Sequence, residues 1–180
     1  ARLALLALST TQSGQRRTRS AKRARIDYRD LGVEQLGAVY ESVLDYEPAY
    51  AGPRREHVLL QRGGDKRKST GSFYTPQTLT DFVARRTLHP LVEDAPAERI
   101  LQLRVLDPAM GSAAFLVSAC RYLAQAYERA LIREGSVAAS DLDAADRAIH
   151  RRLVAQRCLF GVDLNPTAVQ LARLSLWLAT

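Results

Sequence analysis

A buried strand that ends on a carboxylate constrains this chain more than any other feature of its sequence. The segment "RILQLRVLDPA", residues 99–109, is typical of a strand that ends at Asp107, and it turns at Pro108 and Gly111 into the apolar run "AAFLVSA". A second short strand, "CLFGVDLNP", ends at Asp163 and also precedes a helical pattern. Strands joined by helical crossovers predict an α/β fold with a parallel sheet of the doubly wound type.

Helical periodicity accounts for most of the remaining chain. Thr75 is expected to cap one helix, with Pro76 at its first position and Pro90 at its end. Residues 56–61 are predicted to form a short strand. The other helices are predicted over about 33–45, over 113–134 with Gly135 as the stop, over 141–155 with Ser140 or Asp141 as the cap, and from Pro166 onward with Asn165 as the cap.

Positive charge is concentrated in the first part of the chain. The net charge is +7, and 13 of the 26 Lys and Arg residues fall between Arg16 and Lys68. Residues 11–25 combine this charge with Gly, Ser and Thr, which is typical of a flexible linker or a basic arm. A solvated linker and a nucleic-acid contact explain the cluster equally well. The candidate DNA-binding residues are Arg16, Arg17, Arg19, Lys22, Arg23, Arg25, Lys66, Arg67 and Lys68.

The turn after Asp107 favours a ligand without phosphate. Dinucleotide sites need several glycines, whereas "DPAMGSAA" offers only Gly111, and Asp107 would repel a pyrophosphate. A carboxylate there could attract an ammonium or sulfonium group, and Asp163 on the next strand could accept both hydroxyls of a ribose. S-adenosylmethionine has this pattern of charge.

No apolar run in the sequence approaches the length of a membrane span. No metal-ligand pattern includes the two cysteines, which are expected to be free, buried thiols of a cytoplasmic protein.

Three segments in order resemble the amino-methyltransferases that modify adenine N6 in DNA. "DPAMGSAAFL" is similar to the cofactor motif of that family, D-P-A-x-G-S-G-x-F-L, and "GVDLNPTAVQLARLSLWL" is similar to the second motif. "KSTGSFYTP" resembles the Y-T-P segment that precedes the first strand, so the resemblance covers residues 66–180. The preceding "DLGVEQLGAVYESVLDYEP" is similar to the helical lead-in of large restriction-modification methyltransferases and of phage-defence (BREX-type) relatives.

The resemblance implies S-adenosylmethionine as cofactor, a Rossmann-like methyltransferase sheet and double-stranded DNA as partner. The residues implied to bind the cofactor are Tyr74, Thr75, Pro76, Asp107, Pro108, Ala109, Gly111, Phe115, Asp163 and Leu164. Residues 107–111 would hold the methionine end above Phe115, while Asp163 would bind the ribose and Leu164 would cover the adenine. The Y-T-P residues would close around the carboxylate at a helix N-terminus. The second glycine of the family motif is Ala113 here, and its methyl group is expected to crowd the cofactor slightly.

The N-P-P-Y segment with which the family holds a flipped adenine does not occur in the sequence, so no catalytic residue is assigned. The chain is therefore interpreted as an inactive fragment, with a target-recognition domain and a fused or associated nuclease expected outside it. Its regions would be a helix end and basic linker over 1–25, a helical lead-in with a basic loop over 26–70, and the first part of the methyltransferase domain over 71–180. A methyltransferase acting on RNA or protein, and a non-enzymatic DNA-binding module, remain the alternatives.

Overall fold

The structure is a computed structural model that describes residues 10–12, 23–25, 35, 37, 46–51, 57–62 and 75–180. The chain divides into two compact units, residues 1–32 and 33–180. No helix among the described residues has the length and apolar character needed to cross a membrane.

The first unit contains a strand pair where the sequence predicted a flexible linker. Strand β1, Thr10–Gln12, pairs antiparallel with β2, Arg23–Arg25, so that Thr10 lies opposite Arg25. The linker prediction for residues 11–25 is therefore wrong over these two stretches. Charge and polarity do not prevent strand pairing, because every residue of a two-stranded ribbon lies at an edge that water reaches, and threonine favours the extended backbone. The predicted helix end before residue 10 lies outside the described residues.

The second unit begins with a partly described lead-in. Gln35 and Gly37 are helical, and they are the two residues of the predicted helix over 33–45 that the structure describes. Strand β3, Tyr46–Ala51, then pairs antiparallel with β4, His57–Arg62, which confirms the predicted strand to within one residue. Strand β3 was not predicted from the sequence, since it contains Pro48, and proline is uncommon within strands. A proline is tolerated in such a hairpin, since each strand has one edge without a partner.

Helix α1, Gln77–Val92, differs from the prediction at both ends. Its N-cap is Pro76, not Thr75, and no side chain caps it. Pro90 lies inside the helix, not at its end, and the Glu93 N–H still donates to the His89 carbonyl at 3.0 Å. A proline this close to a C-terminus removes one backbone hydrogen bond without preventing the last turn from forming.

The strand predicted over residues 99–107 is shorter than expected. Its first part is helix α2, Ala97–Leu101, and only β5, Val105–Asp107, is extended. The buried residues of α2 are Ala97, Ile100 and Leu101. Their spacing of i, i+3 and i+4 is that of a helix face, and it explains why this apolar run does not continue the strand.

A parallel strand pair forms the centre of the second unit. Strand β6, Leu159–Gly161, pairs with β5 so that Asp107 lies opposite Gly161, and β6 therefore ends two residues before the predicted Asp163. The crossover consists of helix α3, Ala114–Arg133, a 3-10 turn over Ala139–Asp141, and helix α4, Ala144–Cys158. This arrangement confirms the α/β class with a parallel pair, and the described residues contain no further strand of that sheet.

The predicted cap was wrong for the first of the last two helices and is confirmed for the second. Asp143, not Ser140 or Asp141, caps α4 in a capping box with Asp146, and the backbone N–H groups of Asp146 and Ala145 hold the pKa of Asp143 below its ordinary value. Helix α5, Pro166–Ala179, begins as predicted, with the Thr167 N–H donating to Asn165 Oδ1 at 3.0 Å. Gly135, with φ of 72°, follows the end of α3 as predicted.

Helix α3 supplies the centre of the core. Its Leu116, Cys120 and Leu123 are buried together with Ile100 of α2 and Val154 of α4. Both cysteines are free and buried, as predicted. Burial raises the pKa of Cys120 to about 11, and it also raises that of Cys158. Neither thiol is therefore an ionised nucleophile at neutral pH.

Candidate cofactor site

The two loops that leave β5 and β6 lie side by side. Strand pairing continues beyond the strands, because the Val162 N–H donates to the Asp107 carbonyl at 2.9 Å and the Met110 N–H donates to the Val162 carbonyl at 3.0 Å. Loop 108–113 and loop 162–165 are thereby joined at the carboxyl ends of the strands. Ligands bind at this edge in open parallel α/β sheets.

Asp163 connects the two loops through its carboxylate. Its Oδ2 accepts a hydrogen bond from the Gly111 N–H, and its Oδ1 accepts one from the Asn165 N–H, both at 2.8 Å. A carboxylate offers about four acceptor positions, so roughly two remain after these bonds. Half-buried Asp163 can thus fix the loop geometry and still accept the hydroxyls of a ribose.

Asp107 makes one local contact. Its Oδ1 accepts from the Ala109 N–H at 3.1 Å, which is the geometry of an Asx turn and bends the chain directly after β5. Most of its acceptor capacity remains available. The two acidic residues predicted to bind the ligand therefore both lie at the same end of the parallel pair, on loops that touch each other.

The backbone of loop 108–113 leaves room for close approach at one residue. Gly111 has φ of 53°, and a Cβ built on it would find nothing within 4 Å. Ala113 also has a positive φ, of 70°, and it is completely buried. An alanine in this left-handed conformation costs about 1 kcal/mol or more of backbone strain compared with glycine. The crowding of the cofactor by its methyl group stays a prediction.

A shallow groove of about 240 Å³ runs beside Asp107 between α1, β5 and α3. Asp107, Pro108 and Phe115 line it together with apolar atoms of Val83 and Leu88. Small-molecule sites commonly enclose about 300–1,000 Å³, so this groove is too small for a whole nucleoside cofactor. Three of the predicted residues therefore share one groove.

The remaining predicted cofactor residues are distributed around these loops. Gly111 and Asp163 are joined by their hydrogen bond but do not line the groove, Ala109 is exposed, and Leu164 is fully exposed. Thr75 and Pro76 lie immediately before α1, and Tyr74 lies outside the described residues. Of the predicted DNA-binding residues, Arg23 and Arg25 lie in β2, and the other seven are also outside the described residues.

Sequence reasoning missed two close contacts of the loop. A Cβ built on buried, helical Gly37 would lie 2.7 Å from Ser112 Oγ, so the lead-in approaches the loop more closely than any side chain allows. A Cβ on Gly161 would collide with Met110 Sδ. The signal in the sequence was a glycine within a helical pattern, which is unfavourable unless packing requires it.

Taken together, the parallel strand pair and the helices that connect it place this unit in the α/β class. The family described as N-6 DNA Methylase matches residues 51–180, a range that contains both loops and all the helices α1 to α5. The chain belongs to that family, as the motifs predicted.

Two relatives are similar to most of the chain. One is named as a type II restriction enzyme and methyltransferase of Methanocaldococcus jannaschii. The alignment spans 189 residues at 28% identity, and it covers 83% of this chain and 14% of that protein. The other, adenine-specific methyltransferase PglX of Streptomyces coelicolor, is 32% identical over 149 residues, which cover 82% of this chain and 9% of that protein. The chain thus spans about a seventh or less of these relatives. No solved structure matches it significantly.

Proposed function

We propose that this chain binds S-adenosylmethionine at the carboxyl ends of β5 and β6, and that the protein to which it contributes methylates adenine N6 in double-stranded DNA. The observation that supports this most is the Asp163–Gly111 hydrogen bond, which holds the two family motifs together. The names of the two relatives support a role in restriction-modification or phage defence. The proposal includes a Rossmann-like sheet of which the β5–β6 pair is one part.

The residues present fit the charge of this cofactor. Asp107 has acceptor capacity for the positively charged methionine end, and Asp163 has roughly two acceptor positions left for the ribose. The open space above Gly111 allows close approach of the ligand to the backbone. Phe115 would pack against the methionine end from the groove, and exposed Leu164 would cover the adenine.

The start of α1 fits the carboxylate of the methionine end. No side chain caps this helix, and its first turn carries no acidic residue. The N–H groups of Gln77 and Thr78 make no hydrogen bond among the described residues. Unpaired N–H groups at a helix N-terminus bind carboxylates. In this proposal Thr75 and Pro76, with Tyr74 before them, bring that terminus to the cofactor.

When bound, the cofactor supplies an electrophilic methyl group. The side chains of this chain would bind and orient it, because none of the acidic residues described above is placed to remove a proton from an exocyclic amine. A flipped adenine would have to present N6 to the methyl group. N6 would attack the methyl carbon as its bond to sulfur breaks, S-adenosylhomocysteine would leave, and the amine would release one proton. The groups that hold the adenine are proposed to come from the remainder of the protein.

Calorimetric titration of the chain with S-adenosylmethionine tests the site. We expect Asp163→Ala to weaken binding by about tenfold or more, since a hydrogen bond to a charged group is worth about 1.5–3 kcal/mol. Asp141→Ala, which removes an exposed carboxylate from the 3-10 turn, is the matched control and should bind normally. Equal affinity of Asp163→Ala and the unmodified chain would contradict the assignment.

The charge of the ligand gives a second test. S-adenosylhomocysteine lacks the sulfonium charge, so a carboxylate near that position should favour S-adenosylmethionine. Asp107→Asn keeps an oxygen that can accept from the Ala109 N–H and removes only the charge. We expect this variant to reduce the preference between the two ligands several-fold. An unchanged preference would mean that Asp107 does not face the sulfonium.

A further inference from the structure

A basic groove lies along the seam between α1 and α3, apart from the cofactor loops. The two helices run side by side in the same direction, with Ser118 Oγ donating to Thr80 Oγ1 at 2.8 Å near one end and Arg133 donating to the Glu93 carbonyl at 3.3 Å near the other. Between these contacts lies a groove of about 730 Å³, here called the arginine groove. Its described lining consists of Phe82, Arg85, Arg86, His89, Pro90, Tyr122 and Arg129.

The guanidinium groups of the arginine groove have no counter-charge. Arg85, Arg86 and Arg129 are exposed, and none of them makes a hydrogen bond or an ion pair among the described residues. Of the described residues that line the groove, none is acidic. The adjacent Glu93 is directed to His89, at 3.5 Å. Three like charges gathered around one concave surface attract an anion, because the surface concentrates their potential.

Contacts between α1 and α3 give this groove a fixed shape. The Tyr122 hydroxyl and His89 Nδ1 are hydrogen-bonded at 3.2 Å, which ties α3 to α1 at the floor of the groove. The α1–α3 contacts at both ends hold the arginines on rigid helices rather than on a loop. Guanidinium groups are suited to phosphate, which they bind in a bidentate manner.

We propose that the arginine groove binds the sugar-phosphate backbone of double-stranded DNA, as a contact separate from the site of methyl transfer. This inference rests on the proposed function, which supplies DNA as the substrate. Along α3, Arg129 lies 16 residues beyond Ala113, which corresponds to about 24 Å at 1.5 Å per residue. At 3.4 Å per base pair, that span is about seven base pairs. The groove would therefore hold DNA flanking the modified adenine and would not touch the cofactor.

A salt titration of DNA binding tests the groove. The probe is a fluorescent duplex of about 30 base pairs without a defined target site, followed by anisotropy between about 50 and 200 mM salt. The test variant combines Arg85→Ala, Arg86→Ala and Arg129→Ala. The matched control combines Arg147→Ala, Arg152→Ala and Arg173→Ala, which remove the same charge from exposed positions of α4 and α5.

Each phosphate contact adds about 0.9 to the slope of log affinity against log salt concentration. We expect the groove variant to lose about 2 to 3 from that slope and about tenfold or more in affinity, while the control loses less than about 0.5 from the slope. Circular dichroism should show that both variants remain folded. Both should keep the cofactor affinity of the unmodified chain, because the groove lies away from the loops.

Three results would overturn the proposal. One is an unchanged salt slope in the groove variant while Arg16→Ala, Arg17→Ala and Arg19→Ala together abolish binding. A second is the absence of any duplex binding by the unmodified chain. A third is stronger binding of polyglutamate than of the duplex, lost in the groove variant, which would assign the groove to an acidic protein. The cofactor titration is independent, so the groove can fail while the cofactor site stands.

Discussion

Replacing Asp163 with alanine should separate the two loops at the strand ends even in the absence of any ligand. The change removes the acceptor of two hydrogen bonds of 2.8 Å, one from Gly111 on the other loop and one from Asn165 on its own. Hydrogen bonds to a charged group contribute about 1.5–3 kcal/mol each. Because Asp163 is only half-buried, water would replace part of this, and we expect a loss of about 2–3 kcal/mol in the free energy of unfolding.

Urea denaturation followed by circular dichroism measures this loss directly. For a chain of this length, 1 kcal/mol corresponds to about 2–4 °C, so the midpoint of thermal unfolding should fall by about 4–12 °C. Asp107→Ala is the matched comparison, because it removes an acidic residue from the end of the neighbouring strand but only one exposed hydrogen bond of 3.1 Å. That variant should lose less than about 1 kcal/mol. If Asp163→Ala were no less stable than Asp107→Ala, the carboxylate would not be the tie between the loops.

Three further perturbations test other parts of the structure. Gly37→Ala would place a methyl group 2.7 Å from Ser112 Oγ, so it should weaken cofactor binding. Ser112→Gly in the same chain should restore the affinity, and failure of this rescue in calorimetric titrations would refute the contact. The helix-capping hydrogen bonds lower the pKa of Asp143, so the contribution of its carboxylate to folding stability is present above the ordinary pKa of about 3.8. That contribution is lost as the pH falls through the lowered value. The difference in stability between Asp143→Ala and the unmodified chain should therefore vanish in strong acid. Cys120 and Cys158 are buried and their pKa values are raised, so both should react with a thiol reagent at pH 8 only after denaturation, as absorbance would show.

Local signals in the sequence predicted the elements whose ends are set by neighbouring residues. The Asn165 cap with Pro166 at the first helical position fixes the start of α5 within the segment itself. Gly135 follows the end of α3 for the same reason, because its positive φ is a local property. The Asp143 cap could have been found from Asp146 three residues later, which completes the capping box.

Elements that depend on tertiary contacts were predicted poorly. The strand β5 is only three residues long, so its pairing with β6 and not its own periodicity decides where it begins. The two short strands of the first unit form a pair with each other that no local pattern announces. Likewise, the approach of Gly37 to Ser112 joins positions far apart in sequence, and a glycine in a helical pattern indicates a close contact without identifying its partner.

The candidate site illustrates why acidic residues at strand ends could be predicted while their contacts could not. A parallel sheet brings the ends of β5 and β6 together, so the proximity of Asp107 and Asp163 follows from topology. The sequence indicated that both acids bind a ligand, and in the structure each also organises backbone, Asp107 by turning its own loop and Asp163 by tying that loop to the next. Because these bonds are made within the chain itself, they order both loops without help from a ligand, and more of the binding energy remains for the ligand.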